Sequence, residues 1–251
     1  MRVAIFSDVH GNLTALEAVL AAIEQQAVDT VVFAGDLCVA GPHPAECLQR
    51  VRQMGIPAVY GNTDHWLLGI TEPPERVQAM CEWTLAQLNE EQRDWLRSLP
   101  LSYRLSPTNT ASDDLLIVHA NPKDAYGLIF PAEAEQMARY GRLRQPDADL
   151  DEWLSGTEAA VVAYGHLHIP GIRHWRNLTL ANISSVNMPG DGDARAKYGL
   201  LVWQNGRWHI EHHQVAYDIQ PEIAAIKQAQ PPGWEGFVQT LEELGFFPQN
   251  V

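Results

Sequence analysis

The first sixty residues alternate short apolar runs with amphipathic segments, and this alternation restricts the fold more than any other feature. Apolar runs occupy residues 3–6, 30–34 and 56–60, and each has the length of a buried strand. The first intervening segment has leucines at helical spacing and begins at Asn12 or Thr14, either of which can cap a helix. Strand–helix–strand repeats of this kind predict a parallel sheet with helices packed on its faces.

The rest of the chain adds helices and a β-rich final third. Helices are predicted near residues 77–88 and 89–99, and strands at residues 101–105, 115–118, 159–164, 172–175 and 178–183. Asn205-Gly206 joins two more strands in a hairpin, and helices follow from Asp218 to a last end at Gly245. Residues 121–157 are predicted to be loop and weak helix, a lid or insertion within a single domain that spans residues 1–251.

The charge balance is acidic, with 31 Asp and Glu against 17 Lys and Arg. A nonspecific binder of nucleic acids or anionic membranes needs a basic face, so both classes are disfavoured. The sequence shows no signal-peptide pattern and no apolar stretch near the ~20 residues of a membrane span. Its three cysteines form no disulfide framework. We therefore expect a cytoplasmic protein without membrane association.

Polar residues follow the apolar runs at sharp turns that contain glycine. Seven of these side chains offer only nitrogen and oxygen donors: Asp8, His10, Asp36, Asn62, His119, His166 and His168. Because ligands bind beyond the carboxyl ends of parallel strands, we expect these side chains to lie together. Imidazole and carboxylate together suit a divalent transition metal, and seven side chains suit two adjacent ions bridged by one carboxylate.

Five motifs carry a family resemblance, and they occur in this order: Asp8-Val-His10, Gly35-Asp36, Gly61-Asn62, His119 and Gly165-His166-Leu-His168. Together they resemble the signature motifs of the calcineurin-like metallophosphoesterase superfamily. The run that starts with Asp8-Val-His-Gly-Asn looks like the prokaryotic branch of phosphodiesterases and diadenosine-tetraphosphatase-like proteins. The resemblance implies an α/β fold, a four-layer α/β/β/α sandwich of two mixed β-sheets flanked by helices.

The resemblance also implies how the seven ligands divide between two metals: Asp8, His10 and His168 on one, Asn62, His119 and His166 on the other, and Asp36 bridging. A hydroxide that bridges the metals would then attack phosphorus in line. The expected cofactors are two divalent transition metal ions, with manganese, iron, zinc and nickel all compatible with these donors.

Two departures from the family pattern concern the substrate side of the site. Many members have a histidine where this chain has Thr63, so the leaving-group proton would come from metal-bound water, His43 or His65. The neighbouring Asp64 is predicted either to cap a helix or to orient a ligand. The branch often has an arginine at the position of Gly190. Phosphate contacts are therefore expected from other polar residues: Asn187, Arg195 or Lys123.

The hypothesis from sequence is an enzyme that hydrolyses a phosphodiester, a phosphomonoester or a dinucleoside polyphosphate. Its partner would be a small phosphorylated substrate, with a nucleotide as one option. The alternative is a non-catalytic scaffold or binding protein, because the retromer scaffold subunit has this fold and also lacks the motif histidine. The complete ligand set favours the enzyme, and the oligomeric state is left open.

Overall fold

Two mixed β-sheets face each other in the computed structural model of the chain, which describes residues 1–243. The strands, in chain order, are β1 (Arg2–Phe6), β2 (Thr30–Phe33), β3 (Ser102–Leu105), β4 (Leu115–Val118), β5 (Val161–Tyr164), β6 (Gly171–Trp175), β7 (Leu178–Asn182), β8 (Ala196–Gln204) and β9 (Arg207–Val215). One sheet has the order β2-β1-β8-β9, and the other has the order β3-β4-β5-β7-β6. The predicted helix end at Gly245 lies outside the described residues.

Each sheet combines parallel and antiparallel pairs. β1 pairs in parallel with β2 and antiparallel with β8. In the second sheet β5 is parallel to both β4 and β7, while β3 and β6 add antiparallel edges. β8 and β9 form the predicted hairpin, in which Asn205 (φ 53°) and Gly206 (φ 74°) have the positive φ of a type I′ turn. The prediction of two mixed sheets is confirmed.

Helices connect many of the strands and form the C-terminal part of the described chain. Within residues 1–243 the α-helices are α1 (Leu13–Glu24), α2 (Pro44–Gln53), α3 (Asn62–Leu67), α4 (Glu75–Gln87), α5 (Glu90–Arg97), α6 (Glu133–Tyr140), α7 (Asp151–Leu154), α8 (Gln220–Ala229) and α9 (Trp234–Glu243), with 3-10 turns at Ala111–Asp113 and Asp147–Leu150. Asn12 caps α1 by accepting a hydrogen bond from the Ala15 amide at 2.9 Å. None of these described helices is long and apolar enough to cross a membrane.

Alternating side chains of the strands fill three layers of core. Ile5 of β1 and Ile117 of β4 point into the layer between the two sheets. Phe6 packs on the opposite face, in the cluster that includes the buried sides of α1 and α2. Val118 packs outward against Leu154 of α7. The sheets are therefore covered by helices on their outer faces, as the four-layer prediction requires.

The apolar run at residues 56–60 does not form the strand predicted for it. Ala58 makes only an isolated bridge with Phe33. The Phe33 amide donates to the Pro57 carbonyl and the Val59 amide donates to the Phe33 carbonyl, both at 3.0 Å, but Pro57 has no amide hydrogen with which to extend this pairing. The ladder therefore ends after one pair, although the run still leads the chain to α3.

Residues 121–157, the predicted lid, contain α6 and α7 and are tied to the second sheet by Arg173 of β6. The guanidinium of Arg173 is buried and donates to the Asp147 carboxylate at 2.6 Å and to the Gln145 carbonyl at 3.1 Å. Gln136 also donates to that carbonyl, at 2.8 Å. We call these four residues the Arg173 network. The segment is firmly anchored on one side, and its role as a lid stays a prediction.

Candidate metal centre

The seven predicted ligands lie at the ends of strands and at the start of one helix. Asn62 begins α3 and His119 directly follows β4. The other five have left-handed backbone, with φ between 48° and 62°: Asp8, His10, Asp36, His166 and His168. This conformation costs a non-glycine residue roughly 1–2 kcal/mol. Five of the thirteen described non-glycine residues with positive φ are therefore predicted ligands.

Asp8, His10 and His168 form a first group, whose ligand atoms all lie within 4.8 Å of one another. His168 Nε2 is 3.1 Å from Asp8 Oδ1 and 3.3 Å from His10 Nε2. His10 Nε2 is in turn 3.8 Å from Asp8 Oδ1. The three side chains converge from the ends of β1 and β5, so two distant parts of the chain meet here.

Asp8, Asp36 and His119 form a second group by the same measure. His119 Nε2 is 3.5 Å from Asp36 Oδ2 and 3.0 Å from Asn62 Oδ1. The same oxygen of Asp36 is 3.7 Å from His10 Nε2. Asp36 Oδ2 thus lies between His10 of the first group and His119 of the second, and Asp8 belongs to both groups.

Backbone carbonyls orient the four imidazoles. In three rings Nδ1 hydrogen-bonds to a backbone carbonyl, so that Nε2 faces the cluster. These pairs are His10 with Val39 (2.8 Å), His119 with Ala34 (2.9 Å) and His168 with Met188 (2.9 Å). His166 is reversed, because its Nε2 contacts the Tyr126 carbonyl at 3.1 Å and leaves Nδ1 free. Such partners fix the tautomer of metal-binding histidines. The Tyr126 carbonyl had no sequence signal, since any residue can supply a backbone acceptor.

Burial disfavours charge throughout the cluster, but opposite charges outweigh it at some groups. Burial alone would raise the pKa of Asp36, yet the neighbouring His119 lowers that pKa far below its usual range. The same pairing raises the pKa of His119 to about 10, against the effect of burial. Burial, and then the charge on His119, lower the pKa of His166 to about 4. At neutral pH His119 is therefore an imidazolium in the metal-free protein, and His166 is neutral.

Asp64 holds the backbone around two predicted ligands. Its carboxylate accepts hydrogen bonds from the amides of Gly61 (2.8 Å), Asp36 (3.0 Å) and Leu37 (3.2 Å). Asp64 therefore both caps α3, through Gly61, and fixes the turn that carries Asp36. The sequence had left these two roles as alternatives.

One predicted proton donor lies in α3 and the other at the start of α2. His65 contacts the hydroxyl of Tyr126 through Nδ1 at 3.1 Å and stacks on Tyr60 with the ring centroids 3.8 Å apart. Burial lowers its pKa. His43 is the N-cap residue of α2, with Nδ1 3.9 Å from Glu46. Within residues 1–243 neither ring hydrogen-bonds to a predicted ligand, and both roles stay predictions.

The three predicted substrate contacts are engaged with other protein groups. Lys123 Nζ donates to a backbone carbonyl at 2.5 Å, and Arg195 pairs with Asp193. Asn187 Oδ1 accepts a hydrogen bond from Asn12 Nδ2 at 3.0 Å. The backbone amide of Asn187 donates to the backbone carbonyl of Asp8, also at 3.0 Å. Their contacts with a substrate stay predictions.

The cluster fits divalent transition metals by its donor chemistry. Imidazole nitrogens and carboxylate oxygens converge within a few ångströms, and the side chains of Asp8 and Asp36 are almost fully buried. No described Lys or Arg forms an ion pair with either carboxylate; their charged partners in residues 1–243 are histidines. Cations would therefore complete a site that the protein leaves short of positive charge.

Comparisons with known proteins agree with this chemistry. The model of the calcineurin-like phosphoesterase superfamily domain matches residues 1–206, which include all seven predicted ligands. The chain is 28% identical over 240 residues to the uncharacterized protein MJ0912 of Methanocaldococcus jannaschii, covering 93% of this chain and 95% of that protein. It is 35% identical over 119 residues to a symmetrical bis(5'-nucleosyl)-tetraphosphatase of Acidovorax ebreus, but this match covers only 45% of this chain and 41% of that protein.

Solved structures extend the similarity to nearly the whole chain. A metallophosphoesterase from Sphaerobacter thermophilus superposes with a TM-score of 0.74 and 27% identity, covering 97% of this chain and 99% of that one. The hypothetical protein PH1004 from Pyrococcus horikoshii has a TM-score of 0.79 at 17% identity, covering 98% and 99%, and so shares the fold. The chain therefore belongs to the calcineurin-like phosphoesterase superfamily, as its five motifs predicted, and is a metal-dependent hydrolase of phosphoric esters.

Proposed function

We propose that this protein hydrolyses small phosphate esters with two divalent transition metal ions held by the seven predicted ligands. The observation that carries the proposal is the position of Asp36. One oxygen of its buried carboxylate lies 3.7 Å from His10 and 3.5 Å from His119, the nearest imidazoles of the two groups. A single carboxylate between two sets of nitrogen donors is the arrangement that a bridged pair of ions needs.

Each half of the site would take one ion: Asp8, His10 and His168 on one side, Asn62, His119 and His166 on the other. When bound, such ions lower the pKa of a water molecule toward neutrality and neutralise charge on phosphate oxygens. The chain itself supplies orientation. Its backbone carbonyls fix the imidazoles, and Asp64 fixes the turn of Asp36, so the donors are in place before a substrate arrives.

The substrate class we favour is a phosphodiester or a dinucleoside polyphosphate, with a phosphomonoester as the alternative. The partial similarity to proteins named symmetrical bis(5'-nucleosyl)-tetraphosphatase supports the nucleotide option. Asn187, Arg195 and Lys123 remain the proposed substrate contacts. The leaving-group proton would come from His43, His65 or water, because the hydroxyl of Thr63 is too weak an acid at neutral pH.

The test is hydrolysis by protein reconstituted with manganese, iron, zinc or nickel. Bis-p-nitrophenyl phosphate, p-nitrophenyl phosphate and diadenosine tetraphosphate represent the diester, the monoester and the dinucleotide. We expect turnover of at least one, loss of turnover after chelation, and recovery on adding metal back. Protein that contains two metals per chain and hydrolyses none of the three would contradict the proposal, and binding to a partner that survives chelation would favour a scaffold instead.

A further inference from the structure

A narrow cleft separates the loops of the candidate metal centre from the two C-terminal helices. One wall includes Asn12, Gly41 and Met188, which lie in the loops after β1, β2 and β7. The opposite wall belongs to α8 and α9 and includes Glu222 and Phe237. The space between the walls has room for about one water-sized group. The cleft is therefore distinct from the seven-ligand cluster, although it shares the loops that carry the cluster.

Glu222 brings an unpaired carboxyl oxygen to this cleft. Its side chain is buried, with the residue only 1% exposed. Oε2 accepts a hydrogen bond from the Thr14 hydroxyl at 3.0 Å, but Oε1 has no hydrogen-bond partner in the described protein. No described Lys, Arg or His forms an ion pair with Glu222 either. A buried carboxyl oxygen without a partner lowers the stability of the fold. A hydrogen-bond donor or a cation beside this oxygen would remove that cost.

No neighbouring polar group within residues 1–243 donates a hydrogen bond to this oxygen. Asn12 Nδ2 already donates to Asn187 Oδ1 at 3.0 Å and lies 3.3 Å from the Tyr217 hydroxyl. Burial raises the pKa of Glu222 to about 7 although Thr14 favours its charged form, which shows how far the carboxyl is removed from water. The residues that line the cleft therefore include two asparagines beside Glu222 and no positively charged side chain.

The shape and chemistry of the cleft favour a small monovalent ion over other occupants. Hard cations prefer oxygen ligands, and a divalent ion would normally draw on several carboxylates, whereas Glu222 is the one acidic residue that lines the cleft. Ile226 and Phe237 cover the side opposite the loops. Apolar cover lowers the local dielectric constant, which strengthens the attraction between a carboxylate and a cation.

We propose that this cleft binds one monovalent cation the size of ammonium or potassium, with Glu222 Oε1 as its charged ligand. The ion joins α8 to the loops that follow β1, β2 and β7. It thereby couples the C-terminal helices, which lie beyond the part of the chain matched by the family domain, to the candidate metal centre.

The experiment compares thermal unfolding of the full-length, metal-loaded protein in chlorides of ammonium, potassium, sodium and choline at equal ionic strength. Binding to the folded state raises Tm, so we expect ammonium and potassium to raise it by about 2–4 °C over choline, with saturation. Glu222→Gln keeps an acceptor for Thr14 and should abolish the shift. The matched control Glu242→Gln, on the exposed side of α9, should retain it.

Equal Tm values in all four salts, or a shift that persists in Glu222→Gln, would overturn the proposal and leave a water molecule as the occupant. If Glu222→Gln fails to fold, crystals of the natural protein soaked in rubidium or thallium salts decide the matter. An anomalous peak at Glu222 Oε1 supports the site, and its absence refutes it. Neither measurement uses hydrolysis, so the proposed function stands or falls separately.

Discussion

The candidate metal centre and the Arg173 network both contain buried polar groups, but they differ in which groups balance their charges. In the Arg173 network one guanidinium donates to the carboxylate of Asp147 and to Gln145, so donors meet acceptors within the protein. In the metal centre the carboxylates of Asp8 and Asp36 meet imidazoles, and nearly every inward-facing atom is an acceptor or a potential metal ligand. The first region balances its charges within the protein, whereas we propose that bound cations balance the charges of the second.

Because of this difference, we expect the Arg173 network to contribute to folding stability and the candidate metal centre to contribute to metal binding. The Arg173 network holds residues 121–157 against the second sheet. Its loss should lower the free energy of unfolding without changing the metal content of the protein. The candidate metal centre has strained backbone and buried carboxylates, both of which reduce the stability of the fold. The same carboxylates attract cations. Substitutions in the two regions should therefore give opposite patterns of damage.

The largest effect is expected from Asp36→Asn, which removes charge from the carboxylate that lies between the two groups. We expect activity to fall on the order of a thousandfold, about 4 kcal/mol of transition-state stabilisation. Metal content should drop, and added metal should no longer raise Tm. Elemental analysis, kinetics and thermal unfolding measure these outcomes. The matched control is Asp147→Asn in the Arg173 network, and this variant should keep its metal. Full metal content and activity in Asp36→Asn would contradict the proposed difference between the two regions.

The next effect is expected from Arg173→Met, which removes the buried guanidinium that donates to Gln145, to the Asp147 carboxylate and to the Phe130 carbonyl. We expect a loss of about 2–4 kcal/mol in the free energy of unfolding, measured by urea denaturation. Metal affinity should stay the same. Arg176→Met is the control, because Arg176 is exposed and pairs with Asp151 at the surface, where ion pairs contribute about 1 kcal/mol or less. Loss of metal in Arg173→Met would show that the two regions are coupled.

The smallest effect is a pH dependence of metal binding that should be confined to the metal centre. The pKa of His119 is raised to about 10, so its charge stabilises the metal-free fold below about pH 6.5 and this contribution is lost as pH rises through about 10. A metal must displace that proton, so metal affinity should rise with pH by up to about tenfold per unit, or about 1.4 kcal/mol. His166, with a pKa of about 4, adds no such proton above pH 5. Metal titrations at pH 6.5, 7.5 and 8.5 that gave one affinity would contradict this charge assignment.

The clustering of the predicted ligands and the two sheets were predictable because their signals are local in sequence. Apolar runs followed by glycine and a ligand mark Asp36 and His166 directly, and the Asn205-Gly206 turn marks its hairpin. The predicted strand at residues 56–60 failed because Pro57 interrupts its hydrogen bonds, an effect that apolar pattern alone does not capture.

The remaining features depend on contacts between distant residues. Nothing near Arg173 in sequence indicates that it is buried against Gln145, 28 residues away. The Tyr126 carbonyl that orients His166 is a backbone group, available from any residue type. Glu222 resembles any acidic residue on a helix until the chain folds and buries it beside Thr14. Features of this kind follow from three-dimensional packing and have no local signature.

The left-handed backbone at five of the ligand residues bears on how such a protein can change over evolution. Glycine would adopt these torsion angles with little strain, so the fold by itself would favour glycine at Asp8, Asp36 and His166. The side chains persist there against a conformational cost, which selection for metal binding can offset. A lineage released from that selection can gain folding stability when glycine replaces these residues. Inactive descendants of such a chain can therefore be more stable than the enzyme from which they arose.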